Sequence, residues 1–199
     1  PVALIQDYIF VVRVIPECCD PLGGRDVLRG YLGSTVRTVE GVVELIEQPV
    51  AADDIEGLRE VTVASAVPVY ADESCPTSAE VPRVAGAVSG VVVKLMKCGG
   101  LVEAMRMIRE ARRRKLGIMV GCMMESSLAL TAAAHISPLA DLADLDSGLL
   151  LGWDPFEGLR FEDGRIVLPE GPGLGVRPRP DGRAPSAAET PTAEEGSEA

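Results

Sequence analysis

Six side chains able to do chemistry punctuate the middle of this chain at similar intervals: Glu47, Asp72, Lys94, Cys122, Asp144 and Asp146. The steps from Glu47 to Asp72, Lys94, Cys122 and Asp144 are 25, 22, 28 and 22 residues. Each follows an apolar run: Leu45-Ile46, Val69-Tyr70-Ala71, Val91-Val92-Val93, Ile118-Met119-Val120-Gly121 and Leu142-Ala143, with Glu125 three residues beyond Cys122. Glu47 and Asp72 offer hard oxygen donors suited to Mg2+. Two carboxylates brought together repel unless a cation joins them. Lys94 lies one run further on. An amine beside a metal in a drier site has its pKa pushed down and can act as a base. A metal that holds a substrate carboxylate beside such a base is the arrangement for removing the proton α to that carboxylate, with the metal stabilising the enediolate. A single acidic residue at a strand end is commonly a cap or a loop residue. Recurrence at the same end of successive strands is what makes a site.

Regular elements must bring those residues together. Short β-rich runs fall at Val43–Ile46, Val67–Tyr70, Val91–Leu95 and Ile118–Val120, with a weaker one at Leu142–Leu145. Helical patterns separate them. Asp53 or Asp54 is placed to cap a helix carrying Ile55, Leu58 and Val61, and Thr77 or Ser78 a second that Pro82 forces to start early. Leu101, Ala104, Met105, Ile108 and Ala111 mark a third, closed by Arg112-Arg113-Arg114-Lys115. Ser126 or Ser127 is placed to cap a fourth over Leu128–Ile136. One strand and one helix every 25 residues or so predicts βα units and a parallel sheet with both faces covered. A barrel of such units gathers its strand ends on one face, where barrel active sites lie.

The chain has 199 residues, 47% hydrophobic and 25% charged, a globular composition. A complete (β/α)8 barrel usually takes about 250 residues. With 30 acidic and 19 basic residues the net charge is −11, which argues against nucleic acid or anionic membrane as a partner. No apolar run approaches the roughly 20 residues of a membrane helix, and no basic segment precedes the first apolar stretch as in a signal peptide. The five cysteines, Cys18, Cys19, Cys75, Cys98 and Cys122, form no CxxC pair, and His135 is the single histidine. Reduced thiols in a cytoplasmic protein are expected, with neither a disulfide framework nor a zinc site. Residues 1–41 hold a strand-like run, Ile9–Ile15, but no clean βα unit. Residues 42–176 form the barrel portion, and the Pro-, Ala- and Glu-rich residues 177–199 are expected to be a disordered tail.

The motifs around the punctuating residues resemble one family. Glu47-Gln48-Pro49, Ala71-Asp72-Glu73-Ser74, Lys94-Leu95-Met96-Lys97-Cys98-Gly99-Gly100 and Gly121-Cys122-Met123-Met124-Glu125 are similar to barrel strands four to seven of the enolase superfamily, muconate-lactonizing subgroup. Asp144-Leu145-Asp146 resembles the DxD signature after strand eight of the dipeptide epimerases, the L-Ala-D/L-Glu epimerase group, and Gly171–Val176 resembles that family's closing segment. The resemblance implies an α/β fold, a partial (β/α)8 barrel of strands four to eight. It implies Mg2+ as cofactor, with Glu47 and Asp72 as two of three ligands. Lys94 would be one of two acid/base lysines, working on one face of the α-carbon. Asp144 and Asp146 would bind the α-ammonium of a small dipeptide, and Cys122 would lie against that substrate.

The chain also departs from the family's pattern. It has no lysine before Lys94, and its aspartates upstream of Glu47 are Asp7, Asp20 and Asp26, none in an Asp-Ala-Asn setting. The strand-two Lys-x-Lys, the third metal ligand and the N-terminal capping domain are therefore expected to be absent, leaving a truncated and impaired epimerase. Two other readings stand beside it: a cycloisomerase or N-acylamino acid racemase of the same superfamily, and a non-catalytic fragment or pseudoenzyme. Open sheet edges on a partial barrel would favour association into a homo-oligomer.

Overall fold

The structure, a computed structural model, describes residues 10–13, 43–162 and 165–180. Six strands form one parallel sheet in chain order: β1 (Phe10–Arg13), β2 (Val43–Glu47), β3 (Val69–Ala71), β4 (Gly90–Lys94), β5 (Gly117–Gly121) and β6 (Leu142–Ala143). The five expected runs are β2 to β6, a partial (β/α)8 barrel. β1 falls inside the expected run Ile9–Ile15 and pairs in parallel with β2, Arg13 in register with Glu47. The remainder of residues 1–41 lies outside the described residues.

Strand limits follow the backbone chemistry. β3 starts at Val69 instead of Val67 because Pro68 has no N–H to give the ladder; its carbonyl accepts from Ile46 N at 2.9 Å instead. β4 stops at Lys94 because Leu95 already opens a short helix.

The helices cover the outer face: α1 (Ile55–Ala64), α2 (Val81–Val84), α3 (Leu95–Cys98), α4 (Leu101–Arg113) and α5 (Ser127–Ile136). Asp54 caps α1, its Oδ1 accepting from Gly57 N at 2.8 Å, worth about 1 kcal/mol. Pro82 is tolerated in the first turn of α2, which lasts one turn, and the Thr77 hydroxyl meets Glu80 Oε2 rather than capping it directly. Gly99 (φ 89°) and Gly100 (φ 126°) take the left-handed turn that separates α3 from α4. α4 buries Ala104, Met107, Ile108 and Ala111. Met107, not Met105, is on the buried stripe, because i, i+3, i+4, i+7 counted from Ala104 gives that set. Ser126 is the N-cap residue of α5, while Ser127 N and Oγ bond to Asp154 Oδ2.

Alternation along the strands sorts residues between two faces. Ile46, Val69, Ala71, Val91, Val93, Ile118 and Val120 face the helices and join Leu58, Met107, Ile108 and Leu130 in the main core. Leu45, Tyr70, Val92 and Met119, with Leu142 beside them, form a separate buried cluster on the inner face. Tyr70 lies across Gly90 and Gly117, where any Cβ would overlap its ring or hydroxyl. After β6, β7 (Phe156–Glu157) pairs antiparallel with β10 (Arg177–Pro178), and β8 (Arg160–Glu162) with β9 (Arg165–Val167). Arg177 and Pro178, placed in the tail by sequence, are thus in a strand pair. Residues 181–199 lie outside the described residues.

Candidate active site

Two residues beyond each member of the inner cluster, on the same face, stands the next inward position. Past Leu45 this is Glu47, past Tyr70 Asp72, past Val92 Lys94, past Met119 Gly121 and past Leu142 Asp144. The period-2 geometry of a parallel sheet therefore stacks a polar layer directly on an apolar one.

Three of the sequence-predicted residues meet there. Lys94 Nζ donates to Glu47 Oε1 at 2.8 Å and to Asp72 Oδ2 at 2.8 Å. All three are buried: Glu47 3% exposed, Asp72 1% and Lys94 4%. Gly121 makes room for this contact. A Cβ there would lie 2.8 Å from Lys94 Cε and 2.9 Å from Val92 Cγ1.

Charge is shared unevenly. Burial, the largest influence on Glu47, raises its pKa to about 6, with Lys94 opposing and Asp72 adding. Burial pushes Asp72 up too, but Lys94, Glu47 and Lys97 outweigh it and hold Asp72 down at about 2. The lowering expected of Lys94 is that of an amine beside a metal; beside the two carboxylates the direction is the opposite one. Burial pulls it down, yet Asp72 and Glu47 together overcome that and raise it. Two carboxylates against one ammonium favour the charged form.

The other predicted residues form a second group one strand along. The Asp144 backbone N–H bonds to Val120 O at 2.9 Å, and its half-buried carboxyl is raised by burial and by Asp146, with Lys94 opposing. Asp146 is exposed and opens the 3-10 turn Asp146–Leu150. Cys122 is half-buried; burial raises its thiol, the neighbouring Ser147 opposes, and Asp144 and Asp146 add to it. Glu125 is turned back on its own loop, Oε1 accepting from Met123 N at 3.1 Å.

Two further contributors were not singled out from sequence. Lys97 Nζ donates to Asp72 Oδ2 at 2.6 Å and to Glu73 Oε1 at 2.8 Å. Gln48 is buried between the loops that follow β2 and β3. Helical spacing offered a signal for Lys97, three residues after Lys94 across the start of α3. Among the described residues no three His, Cys, Asp or Glu side chains form a metal-holding group. No helix among them is long and apolar enough to cross a membrane.

A parallel half-barrel with carboxylates and a lysine at its strand ends matches, over residues 34–182, the enolase C-terminal domain-like family, and the chain belongs to that family. It is 42% identical over 137 residues to the L-Ala-D/L-Glu epimerase of Bacteroides thetaiotaomicron, covering 69% of this chain and 36% of that protein. It is 45% identical over 134 residues to a hydrophobic dipeptide epimerase from a Flavobacteria bacterium, covering 67% and 38%. Among solved structures it is similar to the dipeptide epimerase of Cytophaga hutchinsonii complexed with Mg and the dipeptide D-Ala-L-Val. That likeness has a TM-score of 0.71 and 29% identity over 79% of this chain and 44% of that one. The chain thus spans about two-fifths of the length of these relatives.

Proposed function

We infer that the site serves Mg2+-dependent epimerisation of dipeptides by removal and return of the α-proton. The observation that carries this is the convergence of the buried Glu47 and Asp72 carboxylates on one cationic centre, each 2.8 Å from Lys94 Nζ. Two carboxylates sharing one cation are a donor set that suits Mg2+, which keeps waters and binds substrate oxygens at its remaining positions. Glu47 and Asp72 fit such an ion and would hold it. When bound, it would stabilise the negative charge that develops on a substrate carboxylate as the enediolate forms. The Cytophaga hutchinsonii relative with Mg and a dipeptide supports both the metal and the substrate class.

Lys94 is the group to remove and return a proton on one face of the α-carbon. Asp144 and Asp146 are suited to receive the substrate's α-ammonium by charge-assisted hydrogen bonds, with Cys122 beside them. Inversion needs a second proton carrier on the opposite face. Among the described residues the other lysine beside the carboxylates is Lys97, which is committed to Asp72 and Glu73. The described residues therefore supply one face, which suffices for exchange of the α-proton.

The test is incubation with L-Ala-L-Glu and Mg2+ in deuterated water. Deuterium should enter the α-position of the second residue, depend on Mg2+ and vanish in Lys94→Ala. Incorporation no faster than in Lys94→Ala would sink the reading. Asp144→Ala should weaken exchange of the free dipeptide more than that of its N-acetyl derivative; equal loss would favour an N-acylamino acid substrate.

A further inference from the structure

Gln48 follows Glu47 and precedes Pro49. A residue before proline favours extended backbone, and positive φ is uncommon outside glycine. Gln48 nevertheless has φ 40°. Strain of this kind persists only where the surroundings over-determine it.

The surroundings here are its own carboxamide contacts. The side chain is buried, at 2% exposure. Its Oε1 accepts from Asp72 N at 2.9 Å and from Ser74 N at 3.1 Å. Its Nε2 donates to Ser74 Oγ at 2.8 Å and to Val50 O at 3.0 Å. Ser74 Oγ in turn donates to Ala52 O at 2.8 Å. Both lone pairs and both protons of the amide are used. The β2–β3 ladder itself is short: Ile46 and Glu47 are in register with Val69 and Tyr70, and Gln48 N donates to Tyr70 O at 2.9 Å. Asp72 lies past that last bond. The link that then ties the Asp72 backbone to the β2 end is the side chain of the residue next to Glu47.

We propose that Gln48 is a positioning residue, whose carboxamide fixes the Asp72 carboxylate relative to that of Glu47 so that both reach one divalent cation. The proposal rests on the reading of Glu47 and Asp72 as cation ligands. Glutamate would still accept from the two N–H groups but would set its own charge against Val50 O and Ser74 Oγ. Methionine keeps the length and loses all four bonds.

The experiment titrates the full chain with Mn2+ and follows the free ion by electron paramagnetic resonance. Gln48→Met should bind Mn2+ at least tenfold more weakly at a temperature where circular dichroism shows it folded. Thr131→Val, which removes a buried hydroxyl that accepts from Leu159 N away from the site, should lower Tm and leave Mn2+ affinity within twofold. Amide hydrogen exchange of Asp72 and Ser74, read without metal, should be at least tenfold faster in Gln48→Met. Should that variant not fold, Ser74→Ala removes one amide partner and should weaken Mn2+ about threefold. Unchanged Mn2+ affinity in a folded Gln48→Met or in Ser74→Ala, or unchanged exchange at Asp72 and Ser74, overturns the proposal. If the unaltered chain binds no Mn2+, the cation reading fails, and the exchange rates alone decide the role of Gln48.

Discussion

Lys97 reaches the same oxygen of Asp72 that Lys94 holds: Asp72 Oδ2 accepts from Lys97 Nζ at 2.6 Å and from Lys94 Nζ at 2.8 Å. Lys97 also bonds Glu73, so one ammonium spans two consecutive carboxylates. Its side chain is 18% exposed, sheltered enough for the bonds to count.

Lys97→Met should therefore cost about 1.5–3 kcal/mol of unfolding free energy, the range for hydrogen bonds to charged groups. Urea denaturation at pH 7 measures it. Lys115→Met, at an exposed position, should stay within about 0.5 kcal/mol. Equal effects in the two variants would show that the Lys97 pairs contribute nothing particular.

Asp141 ties the far end of the sheet. Its carboxylate accepts from Arg112 at 2.7 and 2.8 Å and from Ile118 N at 2.8 Å. The Arg112 bonds hold its pKa below the ordinary carboxylate range, against burial, with Ile118 N assisting. A depressed folded pKa means the unfolded chain takes up the proton first. The stability is present above the unfolded value of about 3.9 and is lost as pH falls through the folded value. The urea midpoint of the unaltered chain should exceed that of Asp141→Asn at pH 6, and the gap should close as pH falls below about 4. A constant gap would contradict the linkage.

Tyr70 and Gly117 share one space. Gly117→Ala should destabilise the chain by about 1–3 kcal/mol through overpacking. The cost should be smaller in a Tyr70→Phe background, which removes the hydroxyl the new methyl meets first. Additive effects in a double-mutant cycle would refute this contact.

Cys75 is wholly buried, and burial, with Glu80 adding and Arg83 opposing, pushes its thiol up to about 12. The fold thus favours the neutral thiol. Stability from this group is full below the unfolded value of about 8.5 and is lost as pH rises toward 12. At pH 8, iodoacetamide should leave Cys75 unlabelled in the folded chain and label it fully in urea, as read by peptide mass spectrometry. Rapid labelling of the folded chain would contradict the burial.

Much of this arrangement was legible in the sequence because a parallel sheet writes itself in a simple code. Apolar runs ending in a charged residue, 25 and then 22 positions apart, placed Glu47, Asp72 and Lys94 at one end of adjacent strands. Strand limits were less legible where a single residue decides them, as Pro68 does for β3. The contributions of Gln48 and Lys97 were hidden for a different reason. Gln48 acts across a strand boundary on backbone groups 24 and 26 residues away. Such bonds depend on the stagger between β2 and β3, which residue types do not encode.

The apolar cluster under the polar layer has a bearing on traffic. Leu45, Tyr70, Val92 and Met119 make an oily floor with the charges standing on it. An ion cannot drain downward through such a floor without shedding its water. The sheet thus closes one route to Glu47 and Asp72, the one that runs past Leu45, Tyr70, Val92 and Met119.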